Sequence, residues 1–194
     1  MTGRRVSAIV LAGGRSSRFG RDKLAEPIGG VPLLDHAIDA VRPFATEVLV
    51  VISPDARPPA APGVIVVRDT APFEGPLAGL LAGLGVARES VVLVVGGDMP
   101  DLIRELGELL LDELDADHVE AAILEHAGRA RPLPMAVQRD RALAVATRLI
   151  AGGERRLGAL PEAMAATVIA EAAWRVLDPD GRSVRDIDTP AELA

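Results

Sequence analysis

The sequence predicts an α/β domain: a single Rossmann-like three-layer unit with a mostly parallel twisted sheet and helices on both faces. Three observations lead there. Short apolar runs alternate with segments of helical period, the pattern of strands joined by crossover helices. Several of these runs are apolar on both faces, as strands covered from both sides must be. The runs end at glycines or at turns bearing aspartate, and sheets of this class bind their ligands beyond the carboxyl ends of the strands. The 194 residues suffice for one domain with a substantial core, and residues 1–194 are read as one domain without a linker. Aromatic residues are only 2% of the chain, so that core must be built from Ala, Val, Leu and Ile.

Taken in order, residues 5–11 form a first buried strand that stops at Gly13-Gly14. Residues 32–41 form a helix with Leu33, Leu34, Ala37, Ile38 and Val41 on one stripe. Strands follow at 47–52 and 64–67, separated by the Pro-rich segment 53–63, which reads as a surface loop. Pro76 opens a helix at the position that best tolerates proline, with Leu77, Leu80, Leu81 and Leu84 forming its apolar face. Gly79 and Gly83 permit close approach to the sheet, at some loss of helix propensity. Residues 91–95, Val-Val-Leu-Val-Val, are the strongest strand signal, ended by "GGDMP". A periodic helix then carries Leu102, Ile103, Leu106, Leu109, Leu110 and Leu114. Strands are expected at 119–124 and 133–137 around the turn "HAGRARP", a helix at 142–150 and a late strand at 166–171. A short terminal helix is expected, with Thr189 as N-cap and Pro190 at its first position.

Composition excludes several chemistries. The net charge is −7, against nonspecific nucleic-acid binding, which rests on broad basic surfaces. Cysteine is absent, so there is no disulfide, thiolate metal site or cysteine nucleophile, which suits a cytoplasmic location. The N-terminal apolar stretch is too short for a signal h-region, and no segment is long enough to span a membrane. His36, His118 and His126 show no ligand spacing, and His36 reads as a surface or packing residue. Ser16 and Ser17 are not in a nucleophile elbow, and tyrosine is absent.

Three loops at strand ends remain. The first, "LAGGRSSRFGRDK", is basic, with Arg15, Arg18, Arg21 and Lys23. Lys23 is the only lysine among the 21 Lys+Arg of the chain. Gly13 and Gly14 let backbone N–H groups approach a phosphate, although the spacing is neither a dinucleotide fingerprint nor a Walker A loop. Phosphate binding and a solvated basic turn both remain open. The second loop has Asp69 after a strand and Gly75-Pro76 before a helix with free N-terminal N–H groups; Asp69 reads as a functional carboxylate or as a turn cap. The third places Asp98 after two glycines. There a single carboxylate suits a Mg²⁺ shared with phosphate oxygens, or else caps the following helix. Asp186 and Asp188 in "DIDTP" supply a second carboxylate or cap the terminal helix.

"LAGGRSSRFGRDK", "DTAPFEGPLAGL", "GGDMP" and "DIDTPAEL", in this order, resemble the MobA-like nucleotidyltransferases, specifically the molybdenum cofactor guanylyltransferase family, over nearly the whole chain. The "GPLAG" segment favours the guanylyl over the cytidylyl branch. The resemblance implies a nucleotide-diphospho-sugar transferase-like fold and a Mg²⁺-dependent transfer of GMP from GTP to the terminal phosphate of Mo-molybdopterin, releasing pyrophosphate. It carries the nucleotide loop onto Leu11, Ala12, Gly13 and Gly14, and the phosphate lysine onto Lys23, with Arg18 beside it. The guanine and ribose contacts fall on Asp55 and Asp69, and the Mg²⁺ aspartate is Asp98. The family often has asparagine where this chain has Asp55, and N-x-N-T-P where it has Asp186 and Asp188, the acceptor-side candidates. GTP and Mo-molybdopterin are the implied partners, with transient contact to other molybdenum cofactor proteins and none to nucleic acid or membrane. Two other readings stay open: a related transferase using CTP or another phosphate acceptor, and a GTP-binding module without catalysis.

Overall fold

The computed structural model describes residues 4–13, 23–69 and 75–187. The expectations for Gly14, Arg18, Asp188, Thr189 and Pro190 lie outside them.

The chain runs β1 (Val6–Ala12), β2 (Pro27–Ile28), β3 (Val31–Pro32), α1 (Leu33–Val41), β4 (Glu47–Ile52), β5 (Val64–Arg68), α2 (Pro76–Val86), β6 (Val91–Gly96), α3 (Arg104–Glu113), β7 (Ala121–His126), β8 (Arg129–Gln138), α4 (Arg139–Ala151), α5 (Ala159–Glu162), β9 (Ala166–Ile169) and α6 (Glu171–Trp174). Seven strands form one sheet in the order β5-β4-β1-β6-β8-β7-β9. Only β8 runs against the rest: it is antiparallel to β6 and β7, whereas the other neighbouring pairs are parallel. The chain moves outward from β1 to β4 and β5, then crosses back to β6 on the other side of β1. Strand order reverses there, so β1 and β6 flank the crevice where such sheets hold ligands.

Residues alternate between two cores. Ala8 and Val10 of β1, with Leu93 and Val95 of β6, pack with Ile38 of α1 and Leu106 and Leu110 of α3. Ile9, Val92 and Val94 face the other way, onto Leu77, Leu80 and Leu84 of α2 and Ala142 and Ala146 of α4. Burial on both faces is the reason these strands read as apolar runs, broken in β1 only by Ser7.

The differences from expectation lie at edges and ends. Strand β8 begins at Arg129, four residues before the expected Leu133, because Arg129–Arg131 pair with Leu124–His126 across a hairpin that the apolar pattern does not mark. The late strand ends at Ile169, and Glu171, expected within it, starts α6. The small β2–β3 hairpin has two residues per strand, too few to show a period. His36 packs as expected, half-buried, with Nε2 3.0 Å from the Ile28 carbonyl oxygen.

The single tryptophan anchors the hairpin end of the sheet. Trp174 is fully buried and donates from Nε1 to the Glu125 carbonyl at 2.7 Å. Beside it, Glu171 accepts from the Ala127 N–H at 2.7 Å and from Arg175 Nη2 at 2.9 Å. The backbone hydrogen bond first, and Arg175 second, hold its carboxyl below the usual carboxylate range. A carboxyl lowered in the folded state stabilises above its ordinary value and loses that contribution as pH falls through the folded value. Between pH 6 and pH 3 the wild-type melting temperature therefore falls further than that of Glu171→Gln; parallel melting curves of the two proteins over this range would contradict it.

Candidate nucleotide site

The expected loops meet in one row along the carboxyl ends of β6, β1, β4 and β5. Gly97, just past β6, donates its N–H to the Leu11 carbonyl of β1 at 2.9 Å. Gly13 lies against Ser53, after β4: a Cβ on Gly13 would stand 3.7 Å from Ser53 Oγ. Asp69, after β5, donates its N–H to the Ile52 carbonyl at 3.0 Å. Leu11, Ala12 and Gly13, the loop with Asp55, Asp69 and Asp98 are thus brought together by backbone contacts in sheet order.

Asp98, at the β6 end of this row, is paired with Lys23. Lys23 Nζ donates to Asp98 Oδ2 at 2.7 Å and to the Ile187 carbonyl at 3.1 Å. Both side chains are mostly shielded, 16% exposed for Lys23 and 27% for Asp98, so the pair is screened less than an open surface bridge. The glycine before this turn has a steric reason. A Cβ on Gly96 would lie 2.5 Å from Asp98 Oδ1, so a side chain there would push the carboxylate out of place.

The C-terminal segment closes the site from the other side, and sequence reading did not find this. Ile187 donates its N–H to the Asp98 carbonyl at 3.0 Å while its own carbonyl takes Lys23. One residue's backbone thereby fixes both members of the pair. The segment is itself anchored by two buried polar side chains. Asp178, 3% exposed, accepts from the N–H groups of Arg182 (3.1 Å) and Ser183 (2.8 Å). Ser183 Oγ accepts from the Ile103 N–H at 3.0 Å, at the start of α3. Asp178→Ala leaves two N–H groups without their acceptor, one of them on buried Ser183, and is expected to lower unfolding free energy by about 1–3 kcal/mol. A denaturation midpoint equal to wild type would contradict this.

Two further positions are organised by groups the sequence did not single out. Arg68 Nη1 donates to the carbonyls of Pro54 (2.5 Å) and Ala56 (3.1 Å), fixing the loop that carries exposed Asp55. The N-terminus of α2 is not wholly free, contrary to expectation. Leu77 N–H donates to the Arg155 carbonyl at 3.4 Å. Gly75, at φ +90°, packs against the same carbonyl, where a Cβ would stand at 2.8 Å, so both its conformation and its contact require glycine. The Asp69 carboxylate reaches α2, with Oδ2 3.8 Å from where a Gly79 Cβ would be.

Asp186 lies next to Ile187 and is paired with Arg131 Nη2 at 3.3 Å. A surface depression of about 230 Å³, lined by Ser90, Val91, Leu114, Gln138, Asp140 and Arg141, is at the opposite end of the sheet, where β6 begins and β8 ends. No group of three or more His, Cys, Asp or Glu side chains is gathered for a metal among the described residues. None of their helices is long and apolar enough to cross a membrane.

A doubly wound sheet with a lysine–aspartate pair at its reversal point, and glycine-bearing loops beside it, defines a nucleotide-handling α/β enzyme class. The chain belongs to the MobA-like NTP transferase domain family, whose model matches residues 8–167. It is 34% identical over 192 residues to a probable molybdenum cofactor guanylyltransferase of Chloroflexus aggregans, covering 97% of this chain and 91% of that protein. It is 39% identical over 153 residues to a molybdenum cofactor guanylyltransferase of Pseudomonas putida, covering 78% and 79%. The fold is shared with molybdopterin-guanine dinucleotide biosynthesis protein A of Archaeoglobus fulgidus (TM-score 0.79, 23% identity, 96% and 94% covered). It is also shared with 2-C-methyl-D-erythritol 4-phosphate cytidylyltransferase of Thermus thermophilus (TM-score 0.70, 19% identity, 95% and 94% covered).

Proposed function

We propose that this protein transfers GMP from GTP to the terminal phosphate of Mo-molybdopterin, releasing pyrophosphate, in the cytoplasm. The observation that carries the reading is the Lys23–Asp98 pair, held by Ile187 at the end of β6 and tied through Gly97 to the loop after β1. The relatives at 34% and 39% identity, both named guanylyltransferases, favour GTP. The likeness to a cytidylyltransferase, at 19% identity, bears on the fold alone.

The residues fit the task. The acceptor phosphate supplies the nucleophilic oxygen, so the protein needs no side-chain nucleophile; it must position two anions and neutralise charge. Leu11, Ala12 and Gly13 offer backbone groups to the nucleotide, with Asp55 and Asp69 toward its nucleoside. Lys23 carries a compact positive charge, suited to the charge that develops on departing pyrophosphate. Asp98 is a carboxylate beside the glycine-bearing loop after β1, a donor that suits Mg²⁺, which keeps waters and takes one or two carboxylates plus phosphate oxygens. Bound there, Mg²⁺ would supply Lewis-acid polarisation of the α-phosphate. Asp98 would hold it, and Lys23, paired with Asp98 Oδ2, would remain within reach of the same phosphates.

The test is pyrophosphate release with Mg²⁺ and Mo-molybdopterin, nucleotide by nucleotide. GTP is expected to support release and CTP not. Release with CTP alone would move the protein to another branch. Tight GTP binding without release would make it a binding module.

A further inference from the structure

The sheet beyond β6 carries a cation that nucleotide binding does not account for. Arg131 is on β8, paired with Leu124 of β7. The ladder between β8 and β6 reaches only as far as Met135, opposite Val94. Met135 also pairs with Ile123, and Arg131 pairs with the very next residue of β7, so Pro132, Leu133 and Pro134 form a bulge on β8. Bulges re-aim side chains, and beyond this one the Arg131 guanidinium meets the C-terminal segment. Its Nη2 donates to the Val184 carbonyl at 3.4 Å and to Asp186 Oδ1 at 3.3 Å. Asp186 adjoins Ile187, whose backbone holds Asp98 and Lys23. Arg131 is therefore fixed against the residue that precedes Ile187, on the β8 side of the Lys23–Asp98 pair. The nucleotide loops lie on the other side, over β1, β4 and β5.

Two physical points give this cation a role. The first is the direction of transfer. Attack at an α-phosphate keeps the entering and leaving oxygens roughly in line, so the acceptor and the departing pyrophosphate occupy opposite sides of it. With the nucleotide over β1, β4 and β5, an acceptor in line with the departing pyrophosphate would enter from the β8 side, where Arg131 meets the C-terminal segment. The second is the quality of the contact. Arg131 meets Asp186 through one nitrogen at 3.3 Å, without the parallel two-bond fork that a guanidinium makes with a well-placed anion. The side chains are 35% and 44% exposed, and ion pairs of this kind contribute little. A phosphate dianion offers more charge and a bidentate partner, so replacing the carboxylate is favourable.

We infer that Arg131 binds the terminal phosphate of the acceptor, and that Asp186 holds the guanidinium in place until the phosphate takes it over. This rests on the reading of the protein as a transferase to a phosphate acceptor. Arg131 takes no part in the bond changes. The acceptor oxygen bonds to the α-phosphorus, the bond from the α-phosphorus to the bridging oxygen breaks, and its electron pair leaves with pyrophosphate.

The test separates the two substrates. In Arg131→Ala the KM for Mo-molybdopterin, and the Kd for molybdopterin titrated without GTP, should both rise about tenfold or more. The KM for GTP should stay within about twofold, as expected of a residue that touches only the acceptor. Arg131→Lys, keeping the charge but not the fork, should fall between wild type and alanine. Should Arg131→Ala not fold, Arg131→Gln reads the same constants. A variant with wild-type KM and Kd for the acceptor overturns the inference while wild-type transfer of GMP keeps the functional reading standing. A lower melting temperature and lower kcat with unchanged acceptor affinity also overturns it, as a purely structural role. A wild-type protein that neither binds molybdopterin nor transfers GMP overturns both.

Discussion

Asp98→Ala is expected to abolish Mg²⁺-dependent turnover and to leave the fold intact. The turn that carries Asp98 is held by backbone groups that survive the substitution. Gly97 N–H reaches the Leu11 carbonyl, Met99 N–H the Gly96 carbonyl, and Ile187 N–H the Asp98 carbonyl itself. Removing the carboxylate takes away the proposed metal ligand and one acceptor of Lys23, which keeps the Ile187 carbonyl. Loss of a single preorganised electrostatic group costs about 10²–10³-fold in kcat, and loss of the metal site adds to it. The check is pyrophosphate release at saturating Mg²⁺, with the thermal melt measured beside it. A variant that melts like wild type and works like wild type contradicts the assignment.

Lys23→Ala is expected to lower kcat by about 10²-fold or more. Lys23 stands between a carboxylate oxygen and a carbonyl oxygen, with only 16% of its side chain exposed. A compact ammonium with three donors on a flexible stem fits that gap and can follow charge as it moves from the α-phosphate to pyrophosphate. Arginine keeps the charge but brings a larger planar fork. Lys23→Arg is therefore expected to fall well short of wild-type kcat in a chain that uses arginine at every other basic position. Because Lys23 touches Asp98 directly, the double variant Lys23→Ala/Asp98→Ala should lose less than the product of the single losses. Steady-state kcat for these variants and Asp98→Ala decides it; an unimpaired Lys23→Arg would show that the lysine is incidental.

How far the sequence reveals this molecule depends on what writes a pattern. The strands β1, β4 and β6 are legible because helices cover both their faces, so that nearly every position is apolar, Ser7 and Glu47 excepted near the strand starts. The start of β8 is not, because Arg129, Ala130 and Arg131 pair in an exposed hairpin whose stability comes from the ladder and not from burial. Glu171 reads as the end of a strand because it follows the β-branched run Thr167–Ile169 without a turn residue between them, and the structure places it at the start of α6, bonded to Ala127 and Arg175. In the site, Lys23 stands out by being unique, and Asp98 by following Gly96-Gly97 at the end of the most apolar strand. Ile187 acts through its backbone, and a backbone contact has no residue-type signature. Asp178 looks the same as Asp180 in "LDPDG", yet only Asp178 is buried and caps the segment that ends at Ile187. Arg131 is one of many arginines, and only the bulge before Met135 and the bond to Asp186 single it out.

The central claim is that the α-phosphate of GTP ends up on the acceptor. It is tested most directly by incubating the protein with Mg²⁺, Mo-molybdopterin and GTP labelled on the α-phosphorus, and separating the products. The expected result is label in a molybdopterin guanine dinucleotide, with unlabelled pyrophosphate released in equal amount. Label remaining in GTP or GMP, with none on the acceptor, would contradict the account.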